Sequence, residues 1–121
     1  MGETTERSKP LTFDELVAEI VDEVLKSKFS ERFAYFVWMY LGTTASIERI
    51  DIARKPEAFS TTLRNLLGSA AQVLEKLILK SLCQHLNVKL KEGYKFSDYI
   101  NELRKVYVAI EYTKYKKFLE G

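Results

Sequence analysis

Apolar residues recur three and four positions apart along nearly the whole chain, and this period constrains the fold more than any other feature. Such spacing gathers them on one side of a helix, whereas a half-buried strand needs strict alternation. Phe13, Leu16, Val17, Ile20, Val24 and Leu25 form the clearest stripe. Thr12 stands before it with Glu15 three residues on, the pattern of a capping box. Asp14 and Glu15 at the front and Lys26 and Lys28 at the back complement the helix dipole. The spacing predicts a helix from Thr12 to about Lys28.

Further segments follow the same logic. Ser30 is the cap expected for a second helix that ends at Gly42. Phe33, Phe36, Val37, Tyr40 and Leu41 make one stripe, and Tyr35, Trp38 and Met39 lie on the far side. A helix apolar nearly all round belongs at the centre of a fold or meets a partner. Residues 43–55, with Ile47, Ile50 and Ile52, read as a short helical turn or an ordered loop. Lys55-Pro56-Glu57 opens a helix carrying Phe59, Leu63, Leu66 and Leu67 and closed by Gly68. Ser69 with Gln72 suggests a second capping box, for a helix to about Leu86 whose stripe is Ala70, Val73, Leu74, Leu77, Ile78 and Leu82. Asn87 is a residue able to close it in the left-handed conformation. Val88 to Lys95 is a polar connection around Gly93, with a small hairpin turn as one reading.

Ser97 then caps a long last helix. Tyr99, Ile100, Leu103, Val106, Tyr107 and Ile110 form its core face, and Val108, Tyr112, Tyr115 and Leu119 continue on the opposite side. The expectation is an all-α fold, a single-domain bundle of about five helices over residues 12–121 behind a disordered leader at residues 1–11.

Composition agrees. A length of 121 residues fits one domain, and 46% hydrophobic residues support an ordinary core. One Cys and one His exclude a disulfide scaffold and any metal site built mainly from those residues. The longest uncharged stretch, Phe33 to Ile47, is shorter than the roughly 20 apolar residues that span a bilayer. The polar start shows no signal peptide, and Glu6 stands where a myristoylation motif needs Ser or Thr. A single thiol fits a reducing interior, so a cytoplasmic location is expected. Three Asn and two Gln beside many Lys and Glu hint at a hot environment.

The net charge of +2 falls short of the basic excess usual in a dedicated nucleic-acid binder. It hides an asymmetry: residues 1–60 hold 8 basic and 11 acidic residues, and residues 61–121 hold 11 and 6. Mutual attraction of the two halves within one fold is the simplest expectation.

Catalysis finds little support, and neither a cofactor nor a metal is expected. Cys83 and His85, two residues apart, point about 200° away from each other on a helix. A packed thiol and a partly buried histidine near the apolar stripe are the expectation. Glu15, Glu19, Asp22 and Glu23 form an acidic face on the first helix, read as solvated. No glycine-rich phosphate loop, dinucleotide fingerprint or nucleophile elbow occurs. The turn at Gly68 raises helix-turn-helix DNA binding, but the helix after it offers only Gln72, Glu75, Lys76, Leu79 and Lys80 at positions taken as exposed.

Seven Tyr, seven Phe and one Trp exceed what a small helical core needs. The favoured expectation is a protein-interaction module that forms a homodimer, anchored by Tyr35, Trp38 and Met39 or by Val108, Tyr112 and Tyr115. The competing account buries both faces of these helices within one chain. The alternative function is nucleic-acid binding through Arg104, Lys105, Lys114, Lys116 and Lys117, with tyrosines stacking on bases.

Phe59, Leu63, Leu67-Gly68-Ser69-Ala70 and Leu74-Glu75-Lys76-Leu77-Ile78 together resemble a family of small all-helical archaeal proteins of unknown function. They are also similar to the helical output domains of archaeal signalling and regulatory proteins. The resemblance spans residues 12–86 and implies an all-helical fold and an archaeal source. It brings no catalytic residues with it.

Overall fold

Thr12 begins the first helix as its sequence predicts. In the computed structural model, which describes residues 11–120, the Thr12 hydroxyl accepts from the Glu15 amide while the Glu15 carboxylate accepts from the Thr12 amide. The leader expected at residues 1–11 lies outside the described residues except for Leu11. Six helices follow: α1 (Phe13–Lys28), α2 (Glu31–Ala45), α3 (Asp51–Arg54), α4 (Pro56–Leu67), α5 (Ala70–Leu86) and α6 (Phe96–Glu120). The fold is an all-α bundle. It has one helix more than expected because Asp51–Arg54, a single turn within residues 43–55, is helical.

α1 is the central element, packing on α2, α3, α5 and α6, and α4 closes the bundle against α2, α3, α5 and α6. Every member of the predicted α1 stripe is buried, joined by Ala18 and Val21. Phe59, Leu63, Leu74, Ile78, Leu82 and Ile100 complete a continuous core. Burying each such side chain fully is worth about 1.5–3 kcal/mol.

Several details differ from the sequence reading. α2 runs past Gly42 to Ala45, and Ser46 takes the left-handed conformation that ends it. The core seats of α2 go to Ala34, Val37 and Leu41, leaving Phe36 exposed and Phe33 and Tyr40 half-buried.

Ser69 makes no side-chain cap; Gly68, at φ +61°, turns the chain, and its carbonyl accepts from Ala71. α5 is rotated so that Glu75, Leu79, Cys83 and Leu86 face inward, while Ala70 and Val73 face out. α6 starts two residues early, at Phe96, which leaves Ser97 buried in its first turn and not at the cap. Ser30 and Asn87 cap as expected, and the 88–95 connection contains no strand.

Among the described residues one ion pair, Arg104 with Asp14, joins residues 1–60 to residues 61–121. The others lie within one half, and the halves meet through apolar packing. No helix among the described residues is long and apolar enough to cross a membrane.

Candidate functional site

The core face of α6 ends long before the helix does. Tyr99, Ile100 and Leu103 are buried, Val106, Tyr107 and Ile110 are half-buried, and every residue from Tyr112 to Glu120 is exposed. Tyr107 is the last firm anchor: its ring lies 5.8 Å from that of Phe13, and its hydroxyl donates to the Leu11 carbonyl. Burial, followed by the charges of Glu111 and Glu15, pushes its phenol above the ordinary value.

Beyond that anchor lies an uncovered apolar row. Val108 (59% exposed), Tyr112 (62%), Tyr115 (60%) and Leu119 fall within about 60° of one another on the helix, on the side away from Leu103. Phe118, to which the sequence reading gave no role, stands beside this row and is also exposed. By helix geometry it continues the line of Ile100 and Tyr107, beyond the last residue assigned to that stripe.

The α2 anchors divide. Tyr35 and Met39 are exposed. Trp38 instead turns towards α1: its indole Nε1 donates to Asp22 Oδ1 at 2.8 Å, and the Arg49 guanidinium lies 4.6 Å over the ring. Burial raises the Asp22 carboxyl, but the bonds from Trp38 and Lys26 and the charges of Arg49 and Lys26 outweigh it, so it ionises below the ordinary range. Trp38 therefore ties α2 to α1 within the chain.

The basic residues divide as well. Arg104 is half-buried; one Nη2 reaches Asp14 Oδ1 at 2.9 Å and the Ala53 carbonyl at 3.0 Å, and its guanidinium covers the Phe13 ring at 5.0 Å. Arg54 approaches the other oxygen of Asp14 at 2.8 Å. Lys105, Lys114, Lys116 and Lys117 are exposed; Lys105 makes a loose pair with Glu102 at 3.9 Å and Lys114 with Glu111 at 3.4 Å.

The candidates for catalysis do not assemble. Cys83 is buried with its Sγ 3.6 Å from the Tyr99 hydroxyl, which also accepts from the Lys91 amide at 2.6 Å. Burial is the main cause pushing the Tyr99 phenol above its ordinary value. His85 is exposed rather than partly buried, because α5 turns Leu82, Cys83 and Leu86 inward and leaves Gln84 and His85 outside. On α1, Glu15 serves the cap and Asp22 the Trp38 contact. Among the described residues no group of three or more His, Cys, Asp or Glu side chains is placed to hold a metal ion. The surface considered for DNA reading loses Glu75 and Leu79 to burial. Comparison of the chain with protein-family models, with curated proteins and with solved structures gave no match.

Proposed function

We propose that the chain is a non-enzymatic protein-interaction module that pairs with a second copy of itself through the outer face of α6. The observation that carries this reading is the exposed run Val108, Tyr112, Tyr115 and Leu119, spaced by four, three and four residues. That is the spacing of a coiled-coil seam. Tyr rings suit such a contact because they bury area while the hydroxyl stays wet.

Charge supports a second copy as the occupant. Glu111 and Lys116 flank the seam on opposite sides and stand five residues apart. In a parallel pair of helices those positions face each other across the interface, so each Glu111 meets the partner's Lys116 and the pair occurs twice by symmetry. An antiparallel pair would not bring them together.

The seam rises only about 16 Å, which is less than a standard interface needs, so the pairing is weak and depends on concentration. Solution mass measured from low micromolar to near-millimolar protein, at two salt concentrations, tests it. The expected result is a mass climbing from 14.1 kDa towards about twice that value with little response to salt. Tyr112→Glu and Tyr115→Glu should each hold the chain as a monomer. A wild-type monomer over the whole range contradicts the proposal. Binding to mixed-sequence nucleic acid that weakens steeply with salt would favour the lysines of α6 instead.

A further inference from the structure

Four polar side chains of the described chain are buried, Ser60, Thr62, Glu75 and Ser97, and all four line one groove of about 940 Å³. The groove lies between α4, α5, the 88–95 connection and the first turn of α6. That coincidence is informative, because polar groups scattered through a helical core by chance would not converge on a single open cavity of ligand size.

Glu75 is the residue that needs explaining. It occupies a core-facing seat of α5, one turn after Ala71 and one before Leu79, and is only 8% exposed. A leucine there would bury without cost, whereas a carboxylate taken from water needs hydrogen bonds or an opposite charge. Ser60 Oγ donates to Oε2, and among the described residues neither carboxylate oxygen has an ion-pair partner. Among the described residues Oε1 has no donor, and it stands at the wall of an open groove.

The rim carries the opposite charge. Arg64, Lys91 and Lys95 line the same groove and make no ion pair among the described residues, while Lys76 is occupied with Glu92 at 3.7 Å. Among the described residues Glu57 is the one unpaired acid at the rim. Arg64, Lys91 and Lys95 do not come within ion-pair distance of Glu75. Tyr94, exposed and with its ring tilted against that of Tyr99 at 5.4 Å, adds an aromatic face, and Leu90 and Val73 add apolar wall.

We infer that this groove binds a small zwitterion of the amino-acid class, its ammonium on Glu75 and its carboxylate on the rim cations. An ammonium supplies the donor that the buried carboxylate lacks, and the Thr62 and Ser97 hydroxyls offer further acceptors. A carboxylate on the same molecule then meets Arg64, Lys91 or Lys95, and an apolar side chain lies against Tyr94, Leu90 and Val73. A bare cation would be repelled by the rim, and a bare anion by Glu75. This site is independent of the α6 seam, since Ser97 and Val108 are about 16 Å apart along the helix.

Thermal unfolding of the full chain with each of the twenty standard amino acids in turn, followed by calorimetric titration of those that stabilise, tests the inference. At least one with an apolar or aromatic side chain should raise Tm by several degrees at about 100 times its Kd. Its N-acetyl derivative and the amine lacking its carboxylate should each bind at least about tenfold more weakly, a factor typical of losing one charged contact. Glu75→Gln keeps the shape and should abolish binding with the helical signal intact. The exposed change Lys95→Gln, together with Lys91→Gln, should weaken binding without touching the core. No stabilisation by any amino acid overturns the inference, as does equal binding by the N-acetyl derivative or by the Lys91→Gln, Lys95→Gln protein.

Discussion

Asp14 shows how much one carboxylate can organise in this chain. It receives Arg54 and Arg104 on its two oxygens, and Arg104 carries the link on to the Ala53 carbonyl and the Phe13 ring. Burial alone would raise its carboxyl, but the bonds from Arg54 and Arg104, with their charges, outweigh it and hold it below the ordinary carboxylate range. A carboxyl lowered on folding adds stability that is present above its unfolded value and fades as pH falls through the folded one. Asp14→Asn should therefore cost about 1–2 kcal/mol at neutral pH, the usual worth of a partly exposed charged hydrogen bond. The cost should shrink towards zero in acid, below the lowered value. Urea unfolding of both proteins across pH checks this, and a penalty that stayed constant into strong acid would remove Asp14 from the role. Trp38 belongs to the same scale. Trp38→Phe deletes the bond to Asp22 and should lower stability by about 1 kcal/mol. It should leave the concentration dependence of the mass unchanged, which separates Trp38 from the α6 tyrosines.

At the scale of elements, what the sequence disclosed depended on how one-sided each helix is. α1 is apolar on one face and acidic on the other, so its stripe and its cap were legible residue by residue. α2 has large rings all round, and hydrophobicity could not say that Ala34 would take a core seat beside Val37 and Leu41. Which face of α2 is covered depends on where its neighbours lie, a property of the packing and not of α2 alone. α3, four residues long, is too short to display any period. Glu75 was read as exposed because a charge normally marks the solvent face; its partner Ser60 sits on α4, fifteen residues away, and no local pattern links them. On α6 the two faces were both visible, but not that the body stops covering the helix near Ile110. Nothing in a sequence gives the length of the neighbours a helix will lie against. The orientation of the proposed α6 pair is also a question at this scale. Glu111→Lys alone and Lys116→Glu alone should each weaken self-association, and the double exchange should restore it, because opposite charges would again face each other. Sedimentation of the three proteins at equal concentration reads this out. Single variants as associated as the wild type, or a double variant no better than either, would exclude the parallel arrangement.

For the molecule as a whole, the distribution of burial separates the body from the outer part of α6. The core runs from Phe13 to Leu103, with Tyr107 and Ile110 at its edge, and the nine residues from Tyr112 to Glu120 are all exposed. A helical segment without tertiary cover contributes little to stability, since an isolated helix of that length is marginal in water. Ending the chain after Glu111 should then change the unfolding free energy by no more than about 0.5 kcal/mol, the range of surface changes that touch no packed feature. The denaturant slope should fall only slightly, because little apolar surface was buried by the removed residues. The shortened protein should also stay a monomer at concentrations where the full chain pairs, and still bind in the groove floored by Glu75. Only a molecule whose fold, pairing surface and groove are separate gives that set of results. A loss of several kcal/mol would mean that residues 112–120 pack on the body in solution. Association surviving the cut would move the interface to the other exposed apolar face, around Tyr35 and Met39 of α2.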